Sequence, residues 1–172
     1  MKASKLITML SLAALLMITV VGCSDDDDNG INSAASTADV NITHASPDAP
    51  GVDIFIDNAP AAAVTNLQFP NSTGYVSLPT GTRNVKVSVT GTGIGSAVLN
   101  EDLTLSANTN YSVFAVDSVS KIDVLVLVDD LTAPAAGKAH VRFVHLSPNA
   151  PEVDVVVTGG PSLFTDRAFK TA

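Results

Sequence analysis

Four side chains able to do chemistry fall within one short stretch: His44, Ser46, Asp48 and Asp53. A His–Asp pair beside a Ser hydroxyl is the raw material of a nucleophile triad, in which the imidazole takes the hydroxyl proton and the carboxylate orients the ring. A His with two carboxylates is equally the raw material of a metal site, because imidazole nitrogen and carboxylate oxygen both ligate divalent ions. The residues between them argue for a third role. The stretch reads His44-Ala45-Ser46-Pro47-Asp48-Ala49-Pro50-Gly51-Val52-Asp53. Pro47 and Pro50 lack an amide hydrogen and cannot continue a strand. Ser46-Pro47-Asp48 is turn chemistry, with proline presetting φ and the flanking side chains able to bond nearby amides. On this reading Ser46 and Asp48 hold a corner, and Asp53 accepts from His44 or from a backbone amide.

The same stretch returns 101 residues later as His145-Leu146-Ser147-Pro148-Asn149-Ala150-Pro151-Glu152-Val153-Asp154. The copies agree at His, Ser, both Pro, Ala, Val and Asp. Asp48 becomes Asn149, which still makes an Asx turn but is a poor metal ligand and no base. A triad also needs an oxyanion hole, and no Gly-rich nucleophile turn is present. The repeat therefore assigns a structural role to His44, Ser46, Pro47, Asp48, Pro50 and Asp53. It assigns the same role to His145, Ser147, Pro148, Asn149, Pro151 and Asp154. It predicts no catalytic residue, no resident metal or cofactor, and no enzyme. The alternative is a metal-dependent function centred on His44 and Asp53.

The elements that would hold these residues read as β-structure throughout. Val40, Ile42 and His44 share one face of a first strand, and Val52, Ile54 and Ile56 alternate on a second. Val64–Phe69, Tyr75–Leu78, Arg83–Thr90, Ala97–Leu105, Tyr111–Val116 and Ile122–Val128 follow, punctuated by Pro, Gly and Asn turns. Gly91-Thr92-Gly93-Ile94-Gly95 lacks the spacing of a dinucleotide fingerprint and reads as a hairpin loop. The strand at Val124–Val128 is apolar on both faces, which predicts a central position. Tyr75, Tyr111 and the scattered Phe residues read as core. The fold class expected is all-β: an Ig-like antiparallel β-sandwich over residues 40–130, without the paired Cys and Trp of antibody domains.

Residues 131–138 read as a linker, and 139–172 as a partial second copy of the same domain. There Gly159-Gly160-Pro161 matches the Asn58–Pro60 stop, and Phe169 falls near the equivalent of Phe69. The pattern stops at Ala172 with five strands unmatched. Either this copy is cut short in the sequence, or its hairpin packs on the first domain or on another molecule.

Residues 1–22 have the form of an export signal. Lys2 and Lys5 make a basic head, and Leu6–Val21 is an apolar run shorter than the roughly 20 residues of a spanning helix. The run ends in Val20-Val21-Gly22-Cys23, which resembles the lipobox of bacterial lipoproteins. That resemblance implies cleavage before Cys23 and lipidation of its thiol, the only Cys of the chain. Ser24 resembles the sorting residue that permits passage to the outer membrane. Residues 23–39 then form an acidic, flexible spacer, with Asp25–Asp28 at its head. The formal net charge is −8, and the basic residues are scattered. That balance excludes nucleic acid as a partner. The expected partners are the membrane, through the lipid anchor, and a polysaccharide or envelope-protein ligand.

The corner motif, the later Leu78-Pro79-Thr80-Gly81-Thr82 with its alternating Val strand, and the closing Val124–Asp130 strand together resemble the bacterial domain-of-unknown-function family 4397. The resemblance covers Val40 to Asp130, and Ala139 to Ala172 as a partial copy. It implies a β-sandwich, tandem copies and an envelope location, and no activity.

Overall fold

The computed structural model describes residues 35–172. The leader, Cys23 and the acidic run lie outside the described residues. Eight strands make the first unit: β1 (Thr37–His44), β2 (Val52–Ile56), β3 (Val64–Leu67), β4 (Ser72–Pro79), β5 (Gly81–Val89), β6 (Ala97–Leu105), β7 (Asn110–Val116) and β8 (Asp123–Asp129). They form two four-stranded sheets, one in the order β4-β1-β7-β8 and the other β3-β2-β5-β6. Among the described residues no helix is long and apolar enough to cross a membrane.

Alternation explains the sandwich. Val40, Val52, Ile54, Val85, Val87, Leu99, Leu103, Leu105, Tyr111 and Val113 point inward and form one buried cluster between the sheets. Burying each such side chain contributes roughly 1.5–3 kcal/mol. The core therefore outweighs any single hydrogen bond, worth about 1 kcal/mol net. Tyr75 departs from the core reading: it is 45% exposed, on the outward face of β4.

Two other features differ from the expectation. The pairs are antiparallel except β1–β7, which run parallel from Asp39 opposite Asn110 to His44 opposite Ala115. All of β2–β6 lies between these two strands in sequence, and so long a connection lets the chain return in the same direction. The doubly apolar β8 is an edge strand, not a central one. Both its ends are tied to residues of the second copy, Asp129 to Arg142 and Asp123 to Lys170.

Residues 131–138 are all exposed and form no strand. Beyond them β9 (Val153–Val156) and β10 (Ser162–Arg167) pair antiparallel, as β2 and β3 do in the first unit. The molecule is thus an all-β sandwich followed by a hairpin that matches β2 and β3; residues 139–146, which the repeat aligns with β1, form no strand, for want of a neighbouring strand to pair with.

Candidate functional site

β1 ends by carrying His44 into the interior, where it is 1% exposed. Its Nε2 lies 3.0 Å from the carbonyl oxygen of Pro50, six residues on. A carbonyl only accepts, so Nε2 carries the hydrogen and donates it. The amide of His44 donates to Asn71 O at 3.0 Å. The ring of Phe69 meets the imidazole edge-on, with centroids 6.3 Å apart. Ser46, fully buried, donates to Asp48 Oδ1 at 3.4 Å. The same Asp48 oxygen accepts from Val119 N at 2.8 Å. Asp48 therefore caps a distant loop rather than the amides of its own turn.

Asp53 sits at the start of β2 and is committed to backbone on both oxygens. Oδ1 accepts from Asn66 N and Oδ2 from Gly91 N, each at 2.9 Å. These bonds, Gly91 first, hold its carboxyl below the ordinary carboxylate value. Asn66 adopts a left-handed φ of 52°, a conformation that Asn tolerates. His44 and Asp53 thus belong to separate hydrogen-bond networks, and the direct bond that their spacing suggested is absent. Among the described residues no three His, Cys, Asp or Glu side chains converge as metal ligands.

The second corner repeats this arrangement atom for atom at its centre. His145 Nε2 lies 3.1 Å from Pro151 O, and Ser147 Oγ donates to Asn149 Oδ1 at 3.3 Å. Asp154 Oδ1 accepts from Asp166 N at 2.9 Å, and Asp166 again is left-handed, with φ 51°. The His145 amide donates to Thr171 O, and Phe169 stands edge-on to the imidazole at 6.5 Å. Here the amide of Ser147 donates to His145 Nδ1 at 3.3 Å, as the Nε2–H tautomer requires.

A second cluster was invisible in the motif. Ser112 alternates with the core residues Tyr111 and Val113, so it faces away from the core, yet it is buried. It donates to Asp129 Oδ2 at 2.8 Å, and Tyr75 OH donates to the same oxygen at 2.5 Å. Arg142 of the second copy closes the group. Its Nη2 donates to Asp129 Oδ1 at 2.5 Å and to Ser112 Oγ at 3.2 Å, and its Nη1 donates to Val128 O at 3.1 Å. Burial raises the Asp129 pKa, but the bonds from Tyr75, Ser112 and Arg142, with the guanidinium charge, outweigh it and hold the carboxyl low. Burial, then the bond and charge of Asp129, push the Tyr75 phenol up. Arg142 occupies the position of Asn41 in the first copy, so the repeat itself gave no signal for it. The partners of Asp53, Asn66 and Gly91, were likewise unmarked.

The two corners face one another across a cavity of about 340 Å³. Pro47, Phe69 and Pro70 wall one side, and Leu146 and Pro148 the other. A larger cavity of about 570 Å³ opens where the linker leaves β8, beside Asp129, His140 and Arg142.

Fold and site together define a class: an all-β sandwich with a His–Pro corner closed on its own backbone, a corner that recurs in the residues after it. The chain belongs to the family described as Domain of unknown function (DUF4397), which matches residues 38–156, well over half of its length. The match runs from β1 through the second corner to the end of β9. No curated protein matches the chain.

Proposed function

We propose that the chain is a non-catalytic, lipid-anchored protein of the bacterial cell envelope. On this reading its tandem sandwich units are displayed for binding or adhesion, held to the outer membrane through Cys23. One observation carries the non-catalytic part. In both corners the His ring and the Asp carboxylate are committed to backbone groups of their own unit, through His44 to Pro50 and His145 to Pro151. A general base must reach a substrate proton with its free ring nitrogen; here the Nδ1 of His44 is buried with its ring, and that of His145 already accepts from the Ser147 amide. The metal-dependent alternative at His44 and Asp53 gains no support from this geometry, because both Asp53 oxygens already hold amides.

The anchor rests on the sequence Val20-Val21-Gly22-Cys23 with its basic, apolar leader. Acyl chains on Cys23 would hold the chain firmly, since each buried methylene contributes about 0.8 kcal/mol. Membrane fractionation tests it. Cys23→Ala, or inhibition of lipoprotein signal peptidase, should leave an unprocessed precursor or release the chain. Unchanged processing and membrane association after both would refute the anchor.

A further inference from the structure

We propose that the cavity between the two corners binds an uncharged sugar residue of a neutral glycan. This rests on the reading of the chain as a binding protein, and it names the site and the ligand class. The walls are largely apolar: Phe69 is 46% exposed, and Pro47, Pro70 and Pro148 line the cavity with it. Such surfaces suit the C–H face of a pyranose. Besides the buried His44 ring, held by the Pro50 carbonyl, the polar groups on the lining are the Thr43 and Ser147 hydroxyls and the Asn149 carboxamide. All three both donate and accept, as sugar hydroxyls do. Asn149 Oδ1 takes the Ser147 hydroxyl, which leaves the carboxamide N–H groups for a ligand.

Charge and size narrow the class. No Asp, Glu, Lys or Arg lines the cavity. An ionised ligand would shed hydration there without gaining a partner. The net charge of −8 further disfavours an acidic polymer. A proline-rich peptide is recognised in aromatic-lined grooves; this cavity has one Phe and neither Tyr nor Trp. At about 340 Å³ it lies near the lower end of the ~300–1,000 Å³ typical of small-molecule sites, so it suits a short segment rather than a long chain.

The site is composite. Phe69 belongs to the first unit and Asn149 to the second, and Arg142 clamps the second onto Asp129. Arg142 is therefore a positioning residue: it touches no ligand, but it holds the two walls at their spacing.

The test uses the full chain in detergent on a glycan microarray. The array carries neutral mannan, β-glucan and N-acetylglucosamine oligomers, uronic-acid glycans, and proline-rich peptides. Retention on a neutral glycan is expected, and Phe69→Ala and Asn149→Ala should each weaken it by about tenfold or more with the fold intact by circular dichroism. Arg142→Leu should weaken it too, in step with faster protease cleavage within 131–138, and Arg142→Lys should restore part of both. Retention of acidic glycans or peptides alone, or of nothing, overturns the assignment. So does neutral-glycan binding that survives both Phe69→Ala and Asn149→Ala. Unchanged binding in Arg142→Leu overturns the composite site. A chain that remains anchored through Cys23 but retains no glycan sinks this inference alone, whereas a released chain that still retains the glycan sinks only the anchor.

Discussion

The two corners differ in what surrounds them, and the difference separates what the motif does by itself from what the sandwich adds. The first corner lies inside a closed two-sheet unit; the second has only its own hairpin, β9–β10. The His-to-carbonyl bond, the Ser-to-Asx bond, the Asp bond to a left-handed residue and the edge-on Phe occur in both. These contacts are local and need no sandwich. Other contacts occur only in the first copy. Asp48 reaches Val119, the Ala45 amide reaches Ala115, and Asp53 takes its second amide from Gly91. In the first copy the corner is a bolt between sheets; in the second it closes on its own hairpin, with Lys170 beside it tied to Asp123.

Smaller exchanges follow the same logic. A Cβ at Gly51 would overlap the Gln68 carboxamide, whereas the second copy has Glu152 at that position and the small Ala168 opposite. Pro70 has no amide hydrogen; its counterpart Lys170 donates its amide to His145 O at 2.8 Å. Each copy solves the same packing with a different pair of residues.

Removing the imidazoles one at a time should separate the two corners most. His44→Ala leaves a void and an unpaired Pro50 carbonyl inside the closed unit, at a cost of about 2–4 kcal/mol in urea unfolding. His145→Ala should cost under about 1 kcal/mol in the same global transition, because no closed core depends on it. Equal losses would refute the division between bolt and isolated corner.

Next come the carboxylates. Asp53→Asn should lower the melting temperature more than Asp154→Asn, since Asp53 holds two amides and Asp154 holds one. The pH dependence has a fixed sign. A carboxyl held low in the folded state stabilises above its unfolded value, about 3.9. That contribution is lost as pH falls through the folded value. The Asp53→Asn variant should therefore lose stability less steeply than the parent below about pH 4. Asp129→Asn should flatten the acid limb in the same direction, while loosening residues 139–172 toward protease.

A milder effect tests the exchanged pair. Gly51→Ala should destabilise by about 1 kcal/mol, and Gln68→Ala in the same chain should recover part of it, because Asn66 Oδ1 also stands 2.5 Å from the added Cβ; purely additive losses would refute the coupling. The smallest effect is expected for Asp48→Asn, under about 0.5 kcal/mol, because the Asn carbonyl oxygen can still accept from Val119 N.

The strands of the first unit were legible because their alternation is clean: Val85 and Val87, or Leu103 and Leu105, point inward as their spacing requires. The corner was legible because it occurs twice, and the change of Asp48 to Asn149 spoke against catalysis. Sheet order was not. The apolar residues on both faces of β8 imply covering on both, yet as an edge strand it leaves Val126 and Val128 exposed, at 39% and 64%. Arg142 was illegible for a related reason. It replaces Asn41 in an otherwise repeated stretch, and the cluster it joins draws Tyr75, Ser112 and Asp129 from three different strands, with Tyr75 reached only through Asp129.

The central claim is that the corner histidines are structural in both copies, each donating from Nε2 to a proline carbonyl. Imidazole ¹⁵N–¹H correlation spectra of the chain read both rings. The prediction is that His44 and His145 both show the Nε2–H tautomer and that neither ring moves when Zn²⁺ is added. An Nδ1–H tautomer at His44, or selective shifts of the His44 ring nitrogens with Zn²⁺, would contradict it.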